Sequence, residues 1–355
     1  MKNSTSCLAA LAVVAALTTA QTVSAAGPHS RYSITDLGTL PGLTNSYVWQ
    51  QTLNNRGHVA VYANNIPNPS ALVGDSSFLW KKPGDVKVLP GLPGATETIV
   101  FGLNDRDQAV GHSLSAADSQ NHAVLWKGGK VHDLGMLPED TSSDANMINN
   151  DGIVVGTSYG ENVSAVYWNH DQICGLPPLD GAVFSTAYGI NERGLIVGES
   201  GLDVSRVHAV LWHSSPKPGV IDLGTLGGDY SWASAINDRG DIVGQAQAAN
   251  GNWHATLWRG NRIIALQNFG ADPFGCAFAI NGGGQIAGFS GVDFSDPTTA
   301  HALLWEGGKV INLQTQLPSA SGWVLLAALS INDAGQIAGF GLHKGKIRPF
   351  LLTQE

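Results

Sequence analysis

The sequence has few charged residues, few cysteines and no long apolar run beyond its first 26 residues. Only 13% of its 355 residues are charged and 43% are hydrophobic, which excludes a highly charged disordered chain. The 44 glycines argue against long helices, because glycine is disfavoured in helix interiors. Lys and Arg number 19 against 28 Asp and Glu, so neither nucleic acid nor an anionic membrane is expected as a partner.

The first 26 residues have the pattern of a secretory signal peptide. Lys2 supplies a positive end, residues 8–20 form an apolar stretch too short to span a bilayer, and small residues at 23–26 allow cleavage after Ala25 or Ala26. An N-terminal core helix is the alternative interpretation. No later stretch is apolar for 18 residues, so we expect an exported protein, periplasmic or extracellular, without membrane insertion.

A unit of about 46 residues recurs seven times along the chain. Its clearest copy reads AINDRGDIVG at 235–244. Glycine follows three and seven residues after the asparagine in six copies, with Asp107 and Val61 as the exceptions. An HAxLW-like string comes next, and a DLG string is clearest at 36–38, 133–135 and 222–224. The repeated asparagines are Asn54, Asn104, Asn149, Asn191, Asn237, Asn281 and Asn332.

Each unit predicts four short strands, here called a to d, with a tight Asn-x-x-Gly turn between a and b. Four strands in 40–50 residues are typical of a β-propeller blade. A d-type run at 32–37 precedes every other strand, and the last unit lacks one. We therefore predict an all-β, seven-bladed β-propeller over residues 27–355, with four antiparallel strands per blade and the last blade closed by residues 32–37. A β-solenoid is the alternative fold.

Three strings, DLGTLGG at 222–228, AIN-x-x-G-x-IVG at 235–244 and HAxLW at 208–212, resemble the extracellular repeats of the HAF family. The resemblance extends over residues 32–352 and is clearest at 222–258. It implies export from a bacterium and a propeller-like fold. It implies no activity, and the shared residues belong to the repeat rather than to a catalytic set.

The sequence contains none of the common catalytic or cofactor-binding motifs, and we predict no cofactor and no metal. Equivalent histidines at 122, 208, 254 and 301 belong to different blades, so we expect hydrogen bonds within each blade rather than a shared ion. Cys174 and Cys276 fall in distant blades and are not expected to form a disulfide. Asp293 to Asp296 could belong to a calcium loop, although a solvated polar loop is favoured.

Residues that break the repeat are the candidates for a binding site, because variable loops on a rigid scaffold usually carry function. Six of the 10 tryptophans are repeat residues and four are not. We predict that the d–a and b–c connections meet on one face and place aromatic and acidic side chains there. The candidate ligand-binding residues are Tyr47, Trp49, Asp144, Asp229, Tyr230, Trp232, Trp253, Asp272, Phe274 and Trp323.

Aromatic rings beside amides and carboxylates suit glycans and also suit protein partners. The first hypothesis is therefore a monomeric, non-catalytic binding or scaffold module with a glycan or protein ligand on this face. The alternative is a hydrolase or lyase acting on polysaccharide, with carboxylates drawn from Asp144, Asp229, Asp272 and Glu97. A purely structural surface protein is the third possibility.

Overall fold

The computed structural model describes residues 31–65, 75–170, 172–203, 205–213, 219–292 and 299–355. The predicted signal peptide and the segment from Asp293 to Asp296 lie outside these ranges. Within them the chain is all-β, and it includes a short 3-10 helix, Leu313–Gln316. The described residues contain no helix that is long and apolar enough to cross a membrane.

We number the repeat units 1 to 7 in chain order. The strands of units 1 to 3 are β2 (Asn45–Tyr47), β3 (Val59–Asn64), β4 (Ser76–Lys82), β5 (Asp85–Leu89), β6 (Ala95–Leu103), β7 (Ala109–Ser115), β8 (Asn121–Lys127), β9 (Lys130–Asp133), β10 (Ser142–Ile148), β11 (Val154–Tyr159), β12 (Val163–Asn169) and β13 (Gln172–Gly175).

The strands of units 4 to 6 are β14 (Phe184–Ile190), β15 (Leu195–Asp203), β16 (Arg206–His213), β17 (Gly219–Asp222), β18 (Gly227–Ile236), β19 (Ile242–Ala248), β20 (Trp253–Arg259), β21 (Arg262–Ala265), β22 (Phe274–Ile280), β23 (Ile286–Gly291), β24 (His301–Glu306) and β25 (Lys309–Asn312). Unit 7 and the N-terminal strand supply β26 (Trp323–Ile331), β27 (Ile337–His343), β28 (Lys346–Gln354) and β1 (Tyr32–Asp36).

Each unit forms an antiparallel four-stranded arrangement in the predicted a-b-c-d order. Units 1 and 2 are separate sheets, and the last sheet has the order β1-β28-β27-β26, so the N-terminal strand pairs with the C-terminal one as predicted. Units 3 to 6 join into one 16-stranded sheet through single parallel residue pairs such as Trp253 with Phe274. No sheet closes on itself among the described residues.

The repeated asparagines link every unit to the next. In units 4 and 7, for example, the side-chain Oδ1 accepts backbone N–H groups of its own a–b turn. The side-chain Nδ2 donates to the backbone carbonyl of the next unit's asparagine, at 3.0–3.2 Å. Asn332 donates to Asn54, so these seven hydrogen bonds form a cycle. They surround a cavity of about 160 Å³ that is lined by all seven units.

The second repeated glycine has a packing role. In units 2 to 7 a bulge in strand a brings a backbone carbonyl against this glycine, and a Cβ atom there would lie 1.9–2.1 Å from a carbonyl oxygen. Unit 1 has Val61 instead, and its strand β2 ends early at Tyr47, before an irregular segment at 48–52. The unit that lacks this glycine is therefore also the one whose strand a is interrupted.

The repeated tryptophans are framework residues, as predicted. Trp80, Trp126, Trp168, Trp212, Trp258 and Trp305 are all buried. The indole N–H of Trp126 donates to the carbonyl of Pro90 from the preceding unit, and that of Trp212 donates likewise to Pro177. These side chains therefore fill the space between neighbouring units and fix the connections there.

Histidines at the shared repeat position behave in two ways. His122 and His208 bind Asp133 and Asp222 of the adjacent strand d, in agreement with the predicted hydrogen bond within each unit. His301 instead binds Asp272 from the connection between β21 and β22. Both described cysteines are free thiols.

Candidate functional site

The structure places most of the candidate residues on strands rather than in the connections. Trp49 and Asp272 lie outside the strands, whereas the other eight candidates are strand residues. The expectation of aromatic residues confined to long loops therefore needs correction. Strands a and c extend beyond the repeat strings. The ends of these strands that lie away from the Asn turns carry the candidate side chains.

An aromatic cluster lies on unit 5. The ring of Trp253 is 5.6 Å from that of Tyr230 and 5.5 Å from that of Trp232, with interplanar angles of 43° and 44°. Phe274 pairs directly with Trp253 across the parallel junction between units 5 and 6. All four side chains are partly exposed. We call Tyr230, Trp232, Trp253 and Phe274 the aromatic platform.

Hydrogen-bonding groups border this platform. Asp229 is exposed, and its backbone N–H donates to the side chain of Gln247. The hairpin between β19 and β20 presents Asn250 and Asn252, both exposed. Rings of this kind offer apolar faces for stacking, and the amides and the carboxylate offer donors and acceptors at the rim.

Trp323 and Asp272 both contact other side chains of the protein. Trp323 is buried, stacks on His343 at 4.5 Å and meets Phe350 edge-on. The Asp272 carboxylate accepts from Ser290 Oγ at 2.6 Å and binds His301 at 3.0 Å. Both side chains therefore have structural partners, and we leave them out of the proposed site.

A second group of side chains surrounds His112 on β7. The imidazole Nδ1 lies 2.7 Å from Asp144 Oδ1, and Glu97 Oε1 lies 3.6 Å from Nε2. Tyr159 donates its phenolic hydrogen to the other oxygen of Asp144 at 2.9 Å. Residues of units 2 and 3 thus meet at this point. We call Glu97, His112, Asp144 and Tyr159 the histidine–carboxylate cluster.

The cluster keeps His112 charged. Burial lowers the pKa of its imidazole, but interactions with Asp144 and then Glu97 outweigh burial and raise the pKa to about 9. Burial and the negative charge of Asp144 raise the pKa of the Tyr159 phenol. At neutral pH the cluster therefore holds an imidazolium and a neutral phenol.

Acidic and phenolic groups continue on both sides of the cluster. Tyr62 donates to Asp75 at 2.6 Å, and burial and then the proximity of Glu97 raise the pKa of Asp75. Tyr188 donates to Glu199 at 2.7 Å. Burial raises the pKa of Glu199 to about 7, although the bond from Tyr188 opposes this rise.

We expect stability to depend on pH through His112. A pKa raised from 6.5 to about 9 makes a contribution that is complete below pH 6.5 and is lost as pH rises through 9. The melting temperature should therefore fall across this window more steeply in the wild type than in His112→Gln. His213→Gln, at an exposed position, is the matched control, and equal slopes in all three proteins would contradict the assignment.

The interior between the two groups is filled. Trp49 packs edge-on against Phe101 at 5.5 Å, and Phe101 meets His112 at 5.3 Å. Gln51 extends from unit 1 to unit 5 and donates to the carbonyl of Ser234 at 2.9 Å. Tyr47 stacks near Tyr62 at 6.4 Å. A ligand therefore meets a floor of side chains rather than an open channel.

Sequence reasoning found Asp144 but missed His112 and Glu199. The position five before each asparagine contains Asp144, Thr186 and Trp232, and pairs with the position eight after it. The residue type eight positions after the asparagine also differs from unit to unit, and this variation is visible in the sequence. The residues at this position are Tyr62, His112, Thr157, Glu199, Gln245, Phe289 and Phe340.

No protein-family model and no curated protein matches the sequence. Solved structures do resemble the chain. A puromycin-hydrolysing peptidase of Mycobacterium tuberculosis has a TM-score of 0.57 at 12% identity, covering 90% of this chain and 52% of its own. An oligogalacturonate lyase in complex with manganese has a TM-score of 0.55 at 10% identity, covering 94% and 95%. YCF48 bound to D1 peptide has a TM-score of 0.50 at 9% identity, covering 93% and 97%.

These likenesses define the class of fold. The neighbours are propeller-type proteins, and the chain has an all-β, propeller-like fold built from repeats. It spans about half the length of the peptidase. Because this group includes both enzymes and a peptide-bound protein, the fold is compatible with binding and with catalysis.

Proposed function

We propose that the protein is an exported, non-catalytic binding module that holds a glycan on the aromatic platform. The observation that carries this proposal is the cluster of Tyr230, Trp232 and Trp253, which keeps partly exposed rings together beside Asp229. Sugar rings stack their apolar faces on such side chains and form hydrogen bonds to amides and carboxylates at the rim.

The scaffold in this proposal is a closed seven-bladed propeller of the HAF-repeat type. The asparagine cycle supports closure, because it returns from Asn332 to Asn54. The pairing of β1 with β28 supports it independently, since that strand completes the last four-stranded sheet. A closed ring of this kind fixes the inner strands and thereby holds the platform in place.

A hydrolase or lyase is less well supported. Glycoside hydrolysis requires two carboxyl groups that flank a space for the sugar and for water. Glu97 and Asp144 instead lie on opposite edges of the His112 imidazole, so the ring occupies the space between them. Polysaccharide turnover abolished by Asp144→Asn would contradict the binding module.

Binding should depend on Trp253. We expect Trp253→Ala to weaken binding of the glycans selected on an array by at least about tenfold, because it removes the central ring of the platform. Isothermal titration calorimetry gives the affinities, and circular dichroism checks folding. Tyr167→Ala is the control, since Tyr167 is a partly exposed aromatic residue opposite Cys174 on the outer strand of unit 3.

Two results would contradict the glycan proposal. One is the absence of any array binding by the folded wild-type protein. The other is glycan binding that Trp253→Ala and Tyr167→Ala reduce equally, since the platform would then have no special role.

A further inference from the structure

The histidine–carboxylate cluster has two carboxyl groups for one imidazole. Glu97 and Asp144 flank His112, and two further acidic side chains lie beside the cluster, Asp75 next to Glu97 and Glu199 next to Tyr159. Among the described residues, the ion pairs of Lys and Arg involve Asp107, Asp241 and Glu306 instead. The carboxylates are also largely buried, with 16% of the Asp144 side chain and 22% of the Glu97 side chain exposed. Water therefore screens this charge incompletely.

His112 gives a second and independent sign of a ligand. Its side chain is 8% exposed, and Nε2 has no hydrogen-bond partner within the described chain. Glu97, the nearest acceptor, is 3.6 Å away, beyond a normal hydrogen bond. A buried donor without a normal hydrogen bond is costly, and Glu97, the carboxylate that this donor faces, has no Lys or Arg partner among the described residues.

A ligand that satisfies both groups needs an acceptor for His112 and a cation for Glu97. A sugar with an amino group beside a hydroxyl has both on adjacent carbons. The hydroxyl oxygen can accept from Nε2, and the protonated amine can donate to Glu97 with the strength of a charge-assisted hydrogen bond.

The cluster is placed to act together with the aromatic platform. Glu199 lies close to Tyr159 of the cluster, and its strand β15 contacts β18, the strand of Trp232 in the same sheet. Gln51 also bridges unit 1 to unit 5 beneath them. A chain of sugars stacked on the platform can therefore continue toward the cluster.

We propose that the histidine–carboxylate cluster is an amine-binding subsite and that the ligand is a glycan with free amino sugars. This inference rests on the proposed glycan function and adds the chemical class of the ligand. Glu97 binds the ammonium group, and His112 binds the neighbouring hydroxyl.

Three β-1,4-linked tetrasaccharides test the inference, because they differ only at carbon 2: cellotetraose with a hydroxyl, the glucosamine tetramer with an amine, and its N-acetylated form. At pH 6 we expect the wild type to bind the glucosamine tetramer at least about tenfold more tightly than either of the others. Raising the salt concentration should reduce this preference.

Glu97→Gln should remove the preference and leave cellotetraose affinity within about twofold. The variant keeps the size of the side chain, and thermal melting checks its fold. Asp85→Asn is the control, because it removes the same charge from the exposed first residue of β5. An equal loss in both variants would mean that net charge alone attracts the amine, and would overturn the subsite.

The other outcomes separate the two proposals. If cellotetraose binds in a Trp253-dependent way and the glucosamine tetramer binds no better, the amine subsite is wrong while the glycan platform stands. If none of the three binds, the amine subsite is again overturned. Trp253-sensitive binding of another glycan on the array would still support the platform in that case.

Discussion

Replacing Asn332 with alanine is expected to lower the free energy of unfolding by about 3–5 kcal/mol. The side chain donates to the carbonyl of Asn54 and to Gln336, and it accepts the backbone N–H of Gln336. Because Asn332 is 3% exposed, alanine leaves buried polar groups without partners, at about 1–3 kcal/mol each. Urea denaturation of the purified variant measures the effect through its midpoint.

Comparison with Asn191→Ala makes this a test of ring closure. Asn191 makes the equivalent bonds in unit 4, to Asn237 and to its own turn. A closed ring predicts similar losses for both variants, because neither unit is terminal. An open array predicts a small loss for Asn332→Ala, since its partner would be a frayed end. Asn162→Ala, in an exposed turn, should change stability by less than about 0.5 kcal/mol.

Tyr32→Ala is expected to cost about 3–5 kcal/mol, the usual range for removing a large buried aromatic side chain. Tyr32 is fully buried on β1 and packs in a cluster with Trp323, Phe350 and Leu313. The strand also pairs with β28 over five residues, from Tyr32 with Gln354 to Asp36 with Phe350. Losing this anchor weakens the strand that completes the last sheet and exposes the edge of β28.

Chemical denaturation of Tyr32→Ala and of the control Ser33→Ala measures the contribution of this anchor. Ser33 is exposed on the same strand, so its variant should stay within about 0.5 kcal/mol of the wild type. A loss below about 1 kcal/mol for Tyr32→Ala would mean that β1 contributes little to the fold, and would contradict closure through this strand.

The repeat made most of the fold predictable. Asn-x-x-Gly turns, buried repeat tryptophans and the pairing of the N-terminal strand all followed from residues recurring at fixed positions, because each copy reports on the same local structure. The interruption of β2 had a signal as well, since Val61 replaces a glycine that the bulged inner strands require.

The site was less predictable because it depends on register. Counting back from the Asn turn without a bulge would place Asp144 opposite Ser158, whereas the bulge in β10 places it opposite Thr157. The contact between Asp144 and His112 also joins two units, and no spacing within one unit contains it. Trp323 illustrates the opposite difficulty, since a tryptophan outside the repeat position is nevertheless buried.

The most direct test of the glycan platform is an NMR titration that follows the ten tryptophan indole N–H signals as a bound oligosaccharide is added. Single Trp→Phe variants assign the signals. The account predicts that the signals of Trp232 and Trp253 shift with the ligand, while those of the six repeat tryptophans stay in place. Saturation without a shift at Trp232 or Trp253, or with the largest shifts at the repeat tryptophans, would contradict it.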